Sequence, residues 1–478
     1  MFERNFLSLM LAGFLPQLIH LAMLSLYSSR LDLADFGVIG LVMVLINVAT
    51  AANALQLQNS VGRMYFDYHH KIEVYFSTIF ITIIVLSILF FLVLFMIVPF
   101  VSRILFQNFI VPEAVLFVAL LATPFSSLNQ FLDKWFIVRQ QGFELLKRVV
   151  LANIVSAFIG FLLVVHLDWG VLGYFTAILA GYGIAFFLTV LSVRRYFVWQ
   201  FHRTILSQSL RFSSPLILSA LGGMLFMYFG VVILEKFVPI AVVGMFVLAD
   251  RFSNILKIYI NQIGRLISPY YVKLYTRDVT NSQSVAIGMF MIWCIVTLPI
   301  FILFLVAVHM FITLFFDSEF LDVLKLLPFF MVGCLFRGYY IFESMPLFAA
   351  KQTGLLAKIG ISSGVISVAL TFALTSHYGL YGAVFAQMIG LALPFLVCHI
   401  MTHLSPHGKV IPLAAYFLVL FFGVLLVGIN AIIFSFGLGA GAFIVVASLL
   451  LVLVVVGVLR GREILAQVTR LRQGYLEK

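Results

Sequence analysis

The sequence predicts an all-α integral membrane protein of about fourteen transmembrane helices, and three observations carry that prediction. Of its 478 residues, 63% are hydrophobic and only 10% are charged, against about 45–50% and about 25% in ordinary soluble domains; mean hydropathy is +1.17. The apolar residues come in continuous runs rather than alternating every second position, which excludes a membrane β-barrel. Those runs occupy nearly the whole chain and leave no room for a separate soluble domain.

Taken in order, runs long enough to cross a hydrocarbon core of about 30 Å fall near residues 7–29, 36–57, 75–100, 111–138, 148–167 and 171–192. A second series falls near 213–235, 240–262, 284–313, 321–348, 355–375 and 379–401, and a final pair near 411–434 and 438–459. The first run follows MFERNF without a small-residue cleavage site, so it is read as a retained helix rather than a removed leader.

The formal net charge of +11 is explained by topology and not by nucleic acid. With the N-terminus inside, 21 of the 29 Lys and Arg fall on the cytoplasmic side, among them Arg63, Lys147, Arg148, Arg194 and Arg211. Four (Arg30, Arg103, Lys236, Lys325) lie on or near the other side, and Lys134, Arg251, Lys257 and Arg337 lie within spans. That bias is the positive-inside signature and places both termini in the cytoplasm. Cys294, Cys334 and Cys398 all lie in apolar runs without ligand spacing and are read as small buried hydrophobes.

The chain repeats itself. GVLGYFTAILAG at 170–181 and GLYGAVFAQMIG at 379–390 share Gly, Gly, Ala and Gly at an offset of 209. Leu105-Phe106 and Leu314-Phe315 keep that offset, while Gly37 matches Gly244 and Asn47 matches Asn254 at an offset of 207. The predicted organisation is therefore an N-terminal six-helix lobe over 1–200, a C-terminal six-helix lobe over 201–405, and two additional helices with a basic tail over 406–478. An even number of spans per half gives the lobes the same orientation, related by a pseudo-twofold along the membrane normal.

Lobes related in this way enclose a cleft, and secondary transporters hold substrate at such repeat interfaces. The stretch DRFSNILKIYINQIGR, 250–265, carries the strongest signal. Asp250, Asn254, Lys257 and Asn261 are spaced 4, 3 and 4 apart and form one polar stripe on a helix. Asp250 and Arg251 lie about 15 Å into their span, near the middle of the core, where each charge costs about 2.5–3.5 kcal/mol and must face protein or water. Met43 and Val44 stand opposite them in the first half, so the charge is confined to one lobe.

Arg337 lies near the midplane of the tenth span, with Tyr339 and Tyr340 beside it and Glu343 six residues on, off its face. Arg251, Lys257 and Arg337 outweigh Asp250 and Glu343, a balance that favours an anionic substrate; Arg suits phosphate by its forked donors and Lys as a point charge. Arg30 marks the outer end of the first span. Asp133 and Lys134 lie near the cytoplasmic end of the fourth, where reaching to the headgroups accounts for them. Pro16 and Pro215 permit kinks. His20, His309 and His399 stand alone without metal spacing and are read as packing or interfacial residues.

The sequence resembles the polysaccharide-biosynthesis flippases of the O-antigen type, within the superfamily that also holds multidrug exporters and lipid II flippases. The resemblance rests on LADFGVIGLV at 33–42, SVGRMYFDY at 60–68, Pro269, and the GxxG starts of spans six and twelve. It departs at LQLQNSVG, which lacks a Gly-rich turn. The resemblance implies a non-enzymatic, multi-pass protein of the bacterial inner membrane that moves an undecaprenyl-diphosphate-linked oligosaccharide outward by alternating access. No cofactor, metal or nucleic acid is implied; the partners are the lipid-linked substrate, membrane lipids and other polysaccharide-assembly proteins. Expected substrate contacts are Arg251, Lys257, Arg337, Asn254, Asn261, Arg30 and Tyr340, with Asp250, Glu343 or Asp133 as carriers of a coupling ion. The rival readings are a multidrug-type exporter of the same fold, which calls for an acidic lumen, and a membrane-embedded polysaccharide polymerase or ligase, which calls for a large outer loop.

Overall fold

Helix follows helix along the chain, and each of the first twelve expected spans falls on one. The structure, a computed structural model, describes residues 2–105, 111–275, 279–350 and 352–404, with Phe421 and Gly428; the expected runs near 411–434 and 438–459 lie outside the described residues. In order these are α1 (Phe2–Tyr27), α2 (Leu33–Asn53), the short α3 (Val61–Asp67), α4 (Ile72–Leu105), α5 (Glu113–Val138) and α6 (Gly142–Gly160), which runs on through a π-helical turn, Phe161–His166. After them come α7 (Gly170–Val193), α8 (Arg203–Glu235), α9 (Ile240–Tyr275), α10 (Val279–Phe315), α11 (Val323–Ala349) and α12 (Thr353–Leu404). Among the described residues every regular element is helical, and eight helices are long and apolar enough to cross a membrane.

Local chemistry sets the boundaries. α2 begins in a reciprocal cap: the Asp35 N–H donates to Asp32 Oδ1 at 2.8 Å, and the Asp32 N–H donates to Asp35 Oδ2 at 3.3 Å. This satisfies two donors that the first turn leaves orphaned. α12 is two helices joined at Gly379, whose φ of 56° and ψ of −129° only glycine adopts without strain. Gly170, its match in the repeat, also has positive φ, 53°. The next glycines, Gly173 and Gly382, admit the preceding segment closely: a Cβ on Gly382 would collide with the Leu374 carbonyl, and one on Gly173 would lie a tight 3.1 Å from Leu163 Cβ. The GxxG motif is thus a turn-and-pack device used twice.

A second repeat pair meets directly. A Cβ on Gly37 would strike the carbonyl of Ile240, a Cβ on Gly244 would strike the carbonyl of Leu33, and each would lie 3.2 Å from the other glycine's backbone nitrogen. Gly40 packs on Val247 in the same way. At the 207-residue offset Leu33 corresponds to Ile240 and Gly40 to Val247, so the start of α2 crosses the start of α9 through matched residues exchanging matched contacts. Such reciprocity is the mark of a local twofold.

The chain forms two compact units, Met1–Leu248 with Thr371–Ala383, and Ala249–Leu370 with the chain from Val384 onward. In the first, α4, α5, α6 and α7 pack in succession, with α1 against α6 and α2 against α5; Phe76, Phe80, Phe131 and Trp135 form its aromatic centre. In the second, Phe290 and Trp293 of α10 interlock with Tyr339 and Phe342 of α11 at centroid distances of 5.0–5.5 Å.

Candidate functional site

The second unit gathers the polar residues that the spacing along 250–265 singles out. On α9, Lys257 pairs with Asp250 two turns earlier. Seven residues is a long reach, but side chains on a helix tilt toward its N-terminus, so the lysine stem lies back along the axis toward the acid. The same acid oxygen, Asp250 Oδ1, accepts a second bond from Gln387 Nε2 at 2.9 Å. Gln387 comes from the second arm of α12, so the stripe on α9 is tied to another helix at mid-span.

Farther along the stripe, Asn261 Oδ1 accepts from Arg337 Nε of α11 at 3.1 Å. Among the described residues no carboxylate lies within ion-pairing distance of the Arg337 guanidinium. Cys334, one turn before Arg337 on α11, is fully buried and within electrostatic reach of Lys257, Asp250 and Arg337 together. Its thiol packs toward the Ser253 carbonyl at 3.8 Å. One apolar thiol therefore sits at the meeting point of three charges, and the three form one cluster.

The remaining expected residues distribute as follows. Arg251 and Asn254 are half-buried on α9. Tyr340 is half-buried one turn beyond Arg337 and packs on the small cluster of Leu347, Ile359 and Cys398. Tyr339, its neighbour, is buried in the aromatic centre against Phe290. Glu343, with its side chain 1% exposed, is hydrogen-bonded through Oε1 to His399 Nδ1 at 2.9 Å. The expectation that His399 stands alone is thereby corrected: its partner is 56 residues away in sequence and on another helix.

Arg30 and Asp133 belong to the first unit and have partners there. Arg30 pairs with Asp168 at 3.1 Å, both half-exposed. Asp133 pairs with Arg148 of α6, whose Nη1 also donates to Asn129 Oδ1 at 2.9 Å; Asn129 Nδ2 in turn donates to the Tyr182 carbonyl at 2.9 Å. Arg148, read from the sequence as a loop cation, is 6% exposed and ties α5 to α6 and α7. Headgroup contact therefore does not account for Asp133; its cation comes from inside the unit.

Sequence reasoning missed Gln387, His399 and Arg148 as members of polar networks. The signal for Gln387 was present: it is a lone amide in the otherwise apolar GLYGAVFAQMIG, a segment noticed for its glycines. Arg148 had a weaker signal, because α6 begins at Gly142 and puts it in the second turn rather than in the loop.

The fold has solved counterparts. The lipid II flippase MurJ in an inward closed conformation superposes with a TM-score of 0.69 over 96% of this chain and 98% of that one, at 13% identity. A multidrug resistance MATE family transporter of the MOP superfamily, inward-facing, gives 0.58 over 81% and 94%, at 16% identity. A MATE transporter from Vibrio cholerae gives 0.54 over 84% and 98%, at 13% identity. At these identities the likeness establishes the fold of MOP-superfamily transporters. No curated protein matches the chain. A family model described as polysaccharide biosynthesis protein matches residues 30–325, well over half of the 478. By that match the chain belongs to the polysaccharide biosynthesis protein family, built on the MOP-transporter fold.

Proposed function

We propose that this protein is a flippase that moves an undecaprenyl-diphosphate-linked oligosaccharide across the bacterial inner membrane by alternating access, with both of its own termini in the cytoplasm. The observation that carries the reading is Arg337: a guanidinium in the middle of a membrane helix, held by one amide and met by no carboxylate among the described residues. Four of its five N–H donors remain for a ligand. An unpaired cation at that depth is expensive, and an anionic headgroup that visits the site removes the expense. The forked guanidinium fits a diphosphate better than any single-charge group does.

In this reading Arg337 and Lys257 hold the diphosphate, Arg251 adds positive potential, and Asn254, Asn261 and Tyr340 offer hydrogen bonds to the first sugars. The lipid tail stays in the bilayer. No bond is made or broken, so the protein needs no cofactor and is not an enzyme. The family match and the counterparts of the fold support a transporter, and the positive cluster supports an anionic cargo over a cationic drug.

The test is complementation of a strain that lacks this gene. Arg337→Gln and Arg251→Gln should abolish surface polysaccharide assembly while the protein accumulates normally in the membrane, and drug susceptibility should not change. Normal polysaccharide with Arg337→Gln would refute the cationic site.

A further inference from the structure

Two of the central cations, Arg337 and Lys257, stand in unlike states. Among the described residues Arg337 has no acid, whereas Lys257 already has one. Resting on the transport reading above, we propose that Asp250 is an internal stand-in for the substrate's phosphate: a positioning residue that holds Lys257 in place while the site is empty and releases it when a diphosphate arrives. Gln387 then holds the released carboxylate in place.

Exposure tells which partner is free to change. The Lys257 side chain is 10% exposed and the Asp250 side chain 35%. A lysine so enclosed cannot fall back on water, so it must always have an anion. Asp250 can do without its lysine, because its side chain is not enclosed and it keeps the 2.9 Å bond from Gln387 Nε2. Both bonds converge on Oδ1, so when the lysine leaves, the amide still occupies the same oxygen. The exchange replaces one carboxylate by a diphosphate that carries more charge and more acceptor oxygens.

The exchange also answers a requirement of transport. Two uncompensated cations would grip a diphosphate on one side of the membrane and fail to let go on the other. A competing acid that takes Lys257 back weakens the outward-side complex and leaves Arg337 as the only strong contact. The stretch is tuned for turnover rather than for maximal affinity.

The test is equilibrium binding of undecaprenyl diphosphate to the purified full-length protein in detergent, with melting temperature recorded for every variant. Asp250→Asn keeps the shape and the bond from Gln387 but removes the competing charge, and should tighten binding about tenfold, equivalent to about 1.4 kcal/mol. Lys257→Gln should weaken binding, and adding Asp250→Asn to it should give no gain. Gln387→Leu should weaken binding a few-fold in the natural background and change nothing with Asp250→Asn. Asp250→Ser is carried alongside so that a poorly folding amide variant does not decide the matter. Unchanged or weaker binding by well-folded Asp250 variants overturns the exchange, as does an equal gain without Lys257. Arg337→Gln separates the two layers: if it binds the lipid as the natural protein does, the cationic-site reading fails and the exchange with it. If it loses binding while the Asp250 variants are indifferent, only the exchange is wrong.

Discussion

Removing the acid from the Asp133–Arg148 pair tests whether a charge inside a span is structural or transports an ion. Arg148 is 6% exposed, and its guanidinium meets Asp133 and the Asn129 amide oxygen, the latter at 2.9 Å. Breaking a fully buried pair by removing one partner costs about 3–5 kcal/mol, because the other charge is stranded. Asp133 is 37% exposed, so water reaches the vacated place and the expected cost of Asp133→Ala falls to about 2–3 kcal/mol. Arg148→Met, which removes the buried charge itself, should cost less than Asp133→Ala. The double substitution should be more stable than the sum of the two, the pattern of residues that share one interaction. Thermal unfolding of the detergent-purified protein measures all three. If Asp133→Ala melts like the natural protein yet abolishes polysaccharide assembly, Asp133 acts on transport and the structural assignment is wrong.

Three further outcomes are expected from the same unfolding assay. Gly244→Ala drives a Cβ into the Leu33 carbonyl and should destabilise by about 1–3 kcal/mol, whereas Gly230→Ala, whose Cβ would meet nothing nearer than Phe246 at 3.9 Å, should be close to neutral. Gly170→Ala has open space but a φ of 53°, and Gly379→Ala has a φ of 56° with ψ at −129°. Each should lose about 1–3 kcal/mol from backbone strain alone, and Gly170→Asn should recover much of the first loss, since Asn tolerates the left-handed region. His399→Ala takes the imidazole away from the Glu343 carboxyl, whose side chain is 1% exposed, and should cost more than Glu343→Gln, which keeps a hydrogen bond to the imidazole.

The helices were legible because lipid demands long apolar runs and the chain has little else. Gly170 and Gly379 were legible as a pair because a left-handed turn admits so few residue types that repetition stands out. Asp250, Lys257 and Asn261 were legible as a stripe because helical spacing alone puts them on one face. Their partners were not. Gln387 donates to Asp250 across 137 residues and His399 meets Glu343 across 56; no periodicity within one helix encodes which neighbour lies opposite. Arg148 was misplaced for a different reason: hydropathy marks where a run becomes apolar, while α6 starts two turns earlier and carries the arginine inward. The ion pair of Lys257 with Asp250 was within reach of the sequence, yet two turns is normally too far, and only the backward lean of a long side chain closes it.

The most direct test of the central claim is whether Arg337 distinguishes a diphosphate from a neutral headgroup. Purified protein should be stabilised against thermal unfolding by undecaprenyl diphosphate far more than by undecaprenol, the difference should shrink as salt rises, and Arg337→Gln should remove it while Arg337→Lys retains part. Equal stabilisation by the two lipids, or a diphosphate preference that survives in Arg337→Gln, would contradict the account.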